Sequence, residues 1–363
     1  GWYEGSDRVA TTLALSVGSI ASNRSFEARG TATVNRYTIT VNNGSGGGTY
    51  NYGTEVTLTA NTITGKTFSR WSDGVTTATR KVTVTGNATY TAEYTTNVYT
   101  VTYTKGTGIA TISRTSESVS YGGNATGSTA TVSTGYTFDG WYSGSTRVST
   151  SLTYAPTNVT SNMSLEARAT INRYTITPSA YYRNTDGTGN YTAGTTGGTV
   201  SGGGTVNYGG SATVTASAAT GYQFDGWYSA GASGGTLLSS SASYTITGVS
   251  ANQTVYARFT KRYFTITYQV GSYVTSVSRT SERVAYGANA AGSTMTINST
   301  TAQYSYAIDG WYSGSTRVTS SGTYAPTSVT ANATYQARAT RTTRAYTVTY
   351  NKGSYIASVS RTS

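Results

Sequence analysis

Phe138-Asp139-Gly140-Trp141-Tyr142 decides the reading of this chain, because it returns as Phe224-Asp225-Gly226-Trp227-Tyr228 and as Ile308-Asp309-Gly310-Trp311-Tyr312. Phe68-Ser69-Arg70-Trp71-Ser72 is a weaker echo, and the chain opens inside another copy at Gly1-Trp2-Tyr3. All five tryptophans therefore hold one motif position, the mark of a tandem array. In a regular strand, side chains three apart face opposite ways. The glycine between the two large rings permits a bulge that turns both to one side. Trp2, Trp71, Trp141, Trp227 and Trp311, with Phe68, Phe138, Phe224 and Ile308, are thus the expected core of their units. Truncating such a buried ring costs about 3–5 kcal/mol, against about 5–15 kcal/mol for a whole small domain. The competing reading of the tryptophans is a set of surface rings that stack on sugars.

Outward from the motif, alternation continues. Arg36-Tyr-Thr-Ile-Thr-Val41, Tyr99-Thr-Val-Thr-Tyr103, Tyr174-Thr-Ile-Thr177, Phe264-Thr-Ile-Thr-Tyr268 and Tyr346-Thr-Val-Thr-Tyr350 each open a unit with a half-buried strand. The units fall at 1–31 (the back half of a repeat), 35–95 (a divergent type), 98–170, 173–260, 263–340 and 345–363 (an opening part). The start lies inside a motif. The end, Ser360-Arg361-Thr362-Ser363, copies the beginning of Ser113-Arg114-Thr115-Ser116-Glu117, so a window on a longer repetitive polypeptide is expected. Short polar joints between small units predict a semi-rigid, elongated rod or fibre. The unit at 173–260 carries an insertion over 178–204, in which Tyr181, Tyr182, Arg183 and Tyr191 form a candidate contact loop for a partner or a neighbouring chain. A decorated hairpin without a ligand is the alternative.

Composition agrees with strands and turns. The 363 residues include 43 glycines and 33 tyrosines but 3 prolines, and helix formers are scarce. No run is long enough to span a bilayer. The net charge of +12 is spread as single residues, mostly arginines, rather than gathered into a stripe. That pattern speaks against nucleic acid and for diffuse attraction to anionic surfaces such as wall polymers. With no cysteine and no histidine, disulfides, thiolate or imidazole metal sites, and Ser-His-Asp or Cys-His catalysis are all excluded. The 13 acids are too thinly spread for a glycosidase pair, and Asp139, Asp225 and Asp309 read as turn or bulge residues. The five lysines do not recur at one position in every unit, which argues against a Lys–Asn crosslink. No enzyme and no cofactor are expected.

Near each unit's end stand Asn23, Asn87, Asn162, Asn252 and Asn332, each two residues before Ser or Thr. The pattern matches a glycosylation acceptor. It reads more simply as an asparagine in the left-handed backbone of a tight turn. The last strand then brings Arg29, Arg168, Arg258 or Arg338, with Glu93 in the second unit, expected as outward solvated charges.

Gly135-Tyr-Thr-Phe-Asp-Gly-Trp-Tyr142 with Asn162-Met-Ser-Leu-Glu-Ala-Arg168, and Gly221-Tyr-Gln-Phe-Asp-Gly-Trp-Tyr228 with Asn252-Gln-Thr-Val-Tyr-Ala-Arg258, resemble the internalin B-repeat family, also called the Listeria–Bacteroides repeat. The unit around Phe68 and Trp71 resembles its divergent branch. The resemblance spans essentially the whole chain. It implies small β-rich modules, β-grasp-like in the listerial case, on large secreted or wall-attached bacterial proteins. The threonine, glycine and tyrosine excess points to all-β modules without the helix of a full β-grasp. The expected role is a stalk or fibre segment of an extracellular adhesin-like protein, assembling with other copies of itself or with neighbouring repeats. The alternative is a module that binds glycan or an anionic cell-surface polymer.

Overall fold

The computed structural model describes residues 1–360, so the echo of Ser113–Ser116 that begins at Ser360 lies, for its last three residues, outside the described residues. The chain is all-β and divides into two compact units, Gly1–Thr170 and Ile171–Ser363. No helix among the described residues is long and apolar enough to cross a membrane.

Within these units four modules each close around a core of their own. In the module built on the motif at 138–142, the main sheet runs Ser116–Ser120, Val98–Lys105, Met163–Ile171, Tyr136–Ser143, Thr146–Ser149. Its two central strands are the first and the last of the module, and they are parallel, with Val101 opposite Met163 through to Lys105 opposite Ala167. The edge pairing of Val98–Lys105 with Ser116–Ser120, that of Tyr136–Ser143 with Thr146–Ser149, and both pairings of the module's second sheet are antiparallel. A parallel pair requires a long crossover, usually a helix. Here the crossover contains a second, three-stranded sheet, Ile109–Ile112, Ser128–Val132, Thr153–Tyr154. Alternation explains why this second sheet needs no helix above it. In Ser128–Val132, Ser128 and Ala130 are buried while Thr129 and Thr131 face water, where their hydroxyls pair with Thr153 and Thr111.

The same order recurs around Tyr263–Val270 and Ala333–Thr343, around Arg173–Arg183 and Gln253–Lys261, and, with one edge strand fewer, around Arg36–Asn42 and Ala88–Thr96. Tyr346–Tyr350, expected to open a further module, forms no strand, and Tyr346, Val348 and Tyr350 are exposed. In every complete module such a strand leans on a closing strand, and none for this segment is among the described residues.

Trp71, Trp141, Trp227 and Trp311 lie between the two sheets with 0% exposure. Each indole N–H donates to a carbonyl, of Thr77, Leu152, Ala242 and Gly322 respectively, at 3.0–3.2 Å. The bulge sits one residue before the glycine. Phe224 pairs with Phe259 and Gly226 with Arg258, leaving Asp225 as the extra residue; Asp309 and Ser69 are extra in the same way. Skipping that residue makes the spacing from Phe to Trp effectively two, which puts both rings on one face. The Phe224 and Trp227 centroids are 6.0 Å apart, those of Phe68 and Trp71 5.9 Å. Gly140, Gly226 and Gly310 have φ of 144°, 137° and 137°, and a Cβ on Gly140 or Gly310 would run into a backbone carbonyl of the next strand.

Of the expected core positions, Phe68, Phe138 and Phe224 are half-buried against the cores of their modules, and Ile308 and Trp2 differ further. Ile308 is 45% exposed. It is shorter than phenylalanine and lies against Gly322, which has no side chain to cover it. Trp2 is only half-buried, because its three-stranded sheet (Trp2–Glu4, Asp7–Ala10, Glu27–Ala28) has no second sheet over it among the described residues.

Candidate functional site

The stretch 178–204 is not the free loop the sequence suggests. Arg173–Arg183 continues as one strand through Pro178 and pairs in parallel with Gln253–Lys261, from Ile176 opposite Gln253 to Arg183 opposite Thr260. Its other side pairs with Gly204–Asn207 and then with Thr192–Ala193. Pro178 falls in the gap between those two, where no edge strand requires its missing N–H. The four candidate contact residues pack on their own module. Tyr181 meets Tyr256 edge-on at 5.5 Å, and Tyr182 meets Tyr222 at 6.5 Å. Arg183 donates to the Thr260 hydroxyl at 2.8 Å and lies over the ring of Tyr191. The Tyr191 hydroxyl donates to Asp225 at 3.0 Å, and burial, with the Asp225 carboxylate beside it, pushes its phenol above the ordinary value.

The closing-strand arginines are not simply solvated either. Arg168 lies 4.5 Å over Tyr142 and donates to the Gly144 carbonyl. Arg338 lies over Tyr312 and donates to Gly314, and Arg29 lies over Tyr3 and donates to Gly5. Arg258, only 6% exposed, is held between Tyr228 and Tyr191 and donates to the carbonyls of Ala230, Gly231 and Gly234. Each guanidinium thus clamps the hairpin that follows the motif, with a cation–π contact worth about 0.5–1 kcal/mol. A signal was present: where Trp71 is followed by serine instead of tyrosine, the arginine is replaced by Glu93, which pairs with Arg70 at 2.8 Å.

The asparagines before each closing strand also differ from expectation. Their backbone is not left-handed; four residues earlier, Asn158, Gly248 and Ser328 are. Instead the Oδ1 atoms of Asn87, Asn162, Asn252 and Asn332 accept the backbone N–H of Thr38, Thr100, Thr175 and Thr265 at 2.7–2.9 Å. Each asparagine fastens the opening strand to the start of the closing strand.

Two modules hold a half-buried carboxylate that sequence reading overlooked. Glu117 accepts the Tyr103 hydroxyl at 2.8 Å and the N–H groups of Thr126 and Gly127; Glu282 does the same with Tyr268, Ala291 and Gly292. Burial alone would raise both carboxyls, but these hydrogen bonds outweigh it and hold them below the usual range. Burial, then the carboxylate itself, pushes both tyrosine phenols up. In the other two modules the tyrosine position is Val41 or Pro178 and the glutamate position is Gly48 or Gly204, so the pair comes or goes as a unit. A carboxyl depressed in the fold contributes stability that is complete above its unfolded value of about 4.3 and is lost as pH falls through its folded value. We therefore expect the 98–171 and 263–343 modules to lose stability below about pH 4.3. Glu282→Gln should flatten that dependence in its own module and cost about 1–3 kcal/mol at pH 7, read by urea titration at both pH values.

Inside each compact unit, consecutive modules share a built joint. One residue, Asn97, separates the strand Ala88–Thr96 from Val98–Lys105, and Arg262 separates Gln253–Lys261 from Tyr263–Val270. Asn97 N–H donates to Gly65 and its carbonyl accepts from Tyr121; Arg262 bridges Gly221 and Tyr286 identically, all at 2.8–2.9 Å. The tyrosine ring lies on the glycine so closely that a Cβ at Gly65 or Gly221 would run into it. The second joint has a further strut. Tyr222 and Tyr263 both donate to Asn184, and Asp186 pairs with Arg283 at 2.6 Å. Among the described residues no group of three or more His, Cys, Asp or Glu side chains is placed to hold a metal.

Residues 37–98 and 190–262 match the Divergent InlB B-repeat domain, and residues 99–168 match the Listeria-Bacteroides repeat domain. The second divergent match begins only after the stretch that lengthens the opening strand. No curated protein matches the chain. Among solved structures, the Bacillus anthracis TIE protein aligns over 86% of this chain and 76% of that chain, at 8% identity and a TM-score of 0.35, a likeness too loose to bear on fold or function.

Proposed function

The chain belongs to the InlB B-repeat family, with divergent and Listeria-Bacteroides types in tandem, and from that premise we propose that it is a tension-bearing stalk segment of an extracellular, adhesin-like bacterial surface protein. The observation that carries this reading is the parallel pairing of first and last strands in all four modules. The chain enters a module at the start of one strand and leaves at the end of its parallel neighbour. Tension therefore pulls the two past one another and loads their hydrogen bonds together, in shear. Antiparallel neighbours would be unzipped one bond at a time. The asparagine fastening adds a further bond across the same pair. The alternative in which the tryptophans grip sugars loses support, since the four module indoles have no exposed surface.

A spacer also needs joints that resist bending, and the Gly–Tyr joint is the feature to test. In a fragment spanning 35–171, NMR relaxation is expected to show both modules tumbling with one correlation time. Gly65→Ala, which pushes a methyl into the Tyr121 ring, and Tyr121→Ala, which removes the ring without touching the turn, should each give the modules separate, shorter times. Independent tumbling of the unmodified pair would contradict a stiff spacer.

A further inference from the structure

We infer that the cleft between the 173–261 and 263–343 modules is a binding site for an oxyanion group, phosphate or carboxylate, carried on a sugar-sized hydrophilic body. The cleft has a volume of about 320 Å³, and its wall includes Arg183, Lys261, Arg262, Arg283, Asp186 and Asn332. That volume lies at the small end of ligand sites and exceeds what a single inorganic anion fills.

The charge on the wall is unbalanced. Of the four cations only Arg283 has a carboxylate partner among the described residues, Asp186. Arg183 is turned to a hydroxyl and a ring face, Lys261 stands 5.9 Å from the centroid of Tyr222, and Arg262 stands 5.3 Å from that of Phe264. The nearby Asp225 carboxylate is engaged by the hydroxyls of Tyr191 and Thr260. Asn332 spends its Oδ1 on the Thr265 N–H, which leaves its NH₂ as a donor on the wall. Cations gathered without counter-charge repel one another, and an anion among them relieves that repulsion while accepting charge-assisted hydrogen bonds. The lining is particular to this joint: where Lys261-Arg262 stand here, the joint in the other compact unit has Thr96-Asn97. The site stands on this lining and holds or fails apart from the stalk role.

Calorimetric titration of the full chain at low salt tests it, with glucose 6-phosphate, glucuronate and glucose as probes. At least one of the two anionic sugars should bind saturably at one site per chain, the tighter of the two identifying the anion, and glucose should not bind. Lys261→Gln with Arg262→Gln should weaken binding by about tenfold or more. Lys261→Arg with Arg262→Lys should largely restore it, and Lys352→Gln, far along the sequence, should leave it unchanged. The melting temperature of each variant separates lost binding from lost folding. Absence of saturable binding by both anions up to about 10 mM, glucose binding as tightly as either, or a double glutamine variant that folds and binds undiminished would overturn the assignment.

Discussion

Replacing Trp141 with alanine is expected to unfold the 98–171 module while the 263–343 module keeps its protection. The indole has no exposed surface, meets Tyr103 edge-on at 5.7 Å, and is the largest group in a core whose other buried members are Tyr103 and valine, leucine, isoleucine and alanine side chains. Its loss opens a cavity between the two sheets and removes one of the two donors to the Leu152 carbonyl, which keeps the Ala130 N–H. The transfer and cavity costs together come to about 3–5 kcal/mol. For a module of this size that approaches the whole of its stability, near the low end of about 5–15 kcal/mol. Hydrogen exchange followed by mass spectrometry reads the outcome module by module. Protection should vanish from peptides within 98–171 and persist in 263–343, whose core shares no side chain with it. Ile308→Ala, by contrast, should cost less than about 1 kcal/mol, because that side chain is nearly half exposed. Equal losses from both variants would mean that the motif position, rather than the burial of the ring, sets stability.

Much of the module was legible in the sequence, and the boundary of what was legible is physical. Alternation along Tyr99–Tyr103 and a lone tryptophan per repeat depend on neighbours in the chain, so strands, the central ring and the glycine bulge could be read directly. The parallel pairing of Val98–Lys105 with Met163–Ile171 joins residues about sixty positions apart and leaves no periodic trace. Pro178 and the Gly/Thr-rich run after it read as a loop. Only the register with Gln253–Lys261 shows that Tyr181, Tyr182 and Arg183 prolong a strand. The arginines read as solvated charge because a single strand reveals which face they are on, not that a tyrosine from the adjacent strand waits there. The covariation of Tyr103 with Glu117 and of Tyr268 with Glu282 was in the sequence, but becomes visible only once the modules are aligned by structure.

The second large effect concerns force. If the terminal strands of each module act as a clamp loaded in shear, resistance should follow the length of the parallel ladder. Ala88–Thr91 pairs with Ile39–Asn42 in the first complete module, and five-residue ladders serve the second and the fourth. In the third the ladder runs unbroken from Ile176 to Arg183, lengthened by the very stretch that departs from the repeat. That module is further braced by Arg183 on Thr260 across the same two strands, and by Tyr191, whose hydroxyl ties the following segment to Asp225 on the strand Tyr222–Tyr228. It should therefore be the last to open, and the 36–96 module, with the shortest ladder, the first. The steps identify themselves by length. The third module releases about 90 residues, or about 300 Å of extended chain, and the first about 60 residues, or about 200 Å.

Stretching single chains by their two ends in an optical trap is the most direct test. Separate ruptures should appear in rising order of force, with the step of about 200 Å early and the step of about 300 Å last. A step of about 300 Å that comes first, or opening of the whole chain at low force in one event, would contradict the claim that these modules are built to carry tension.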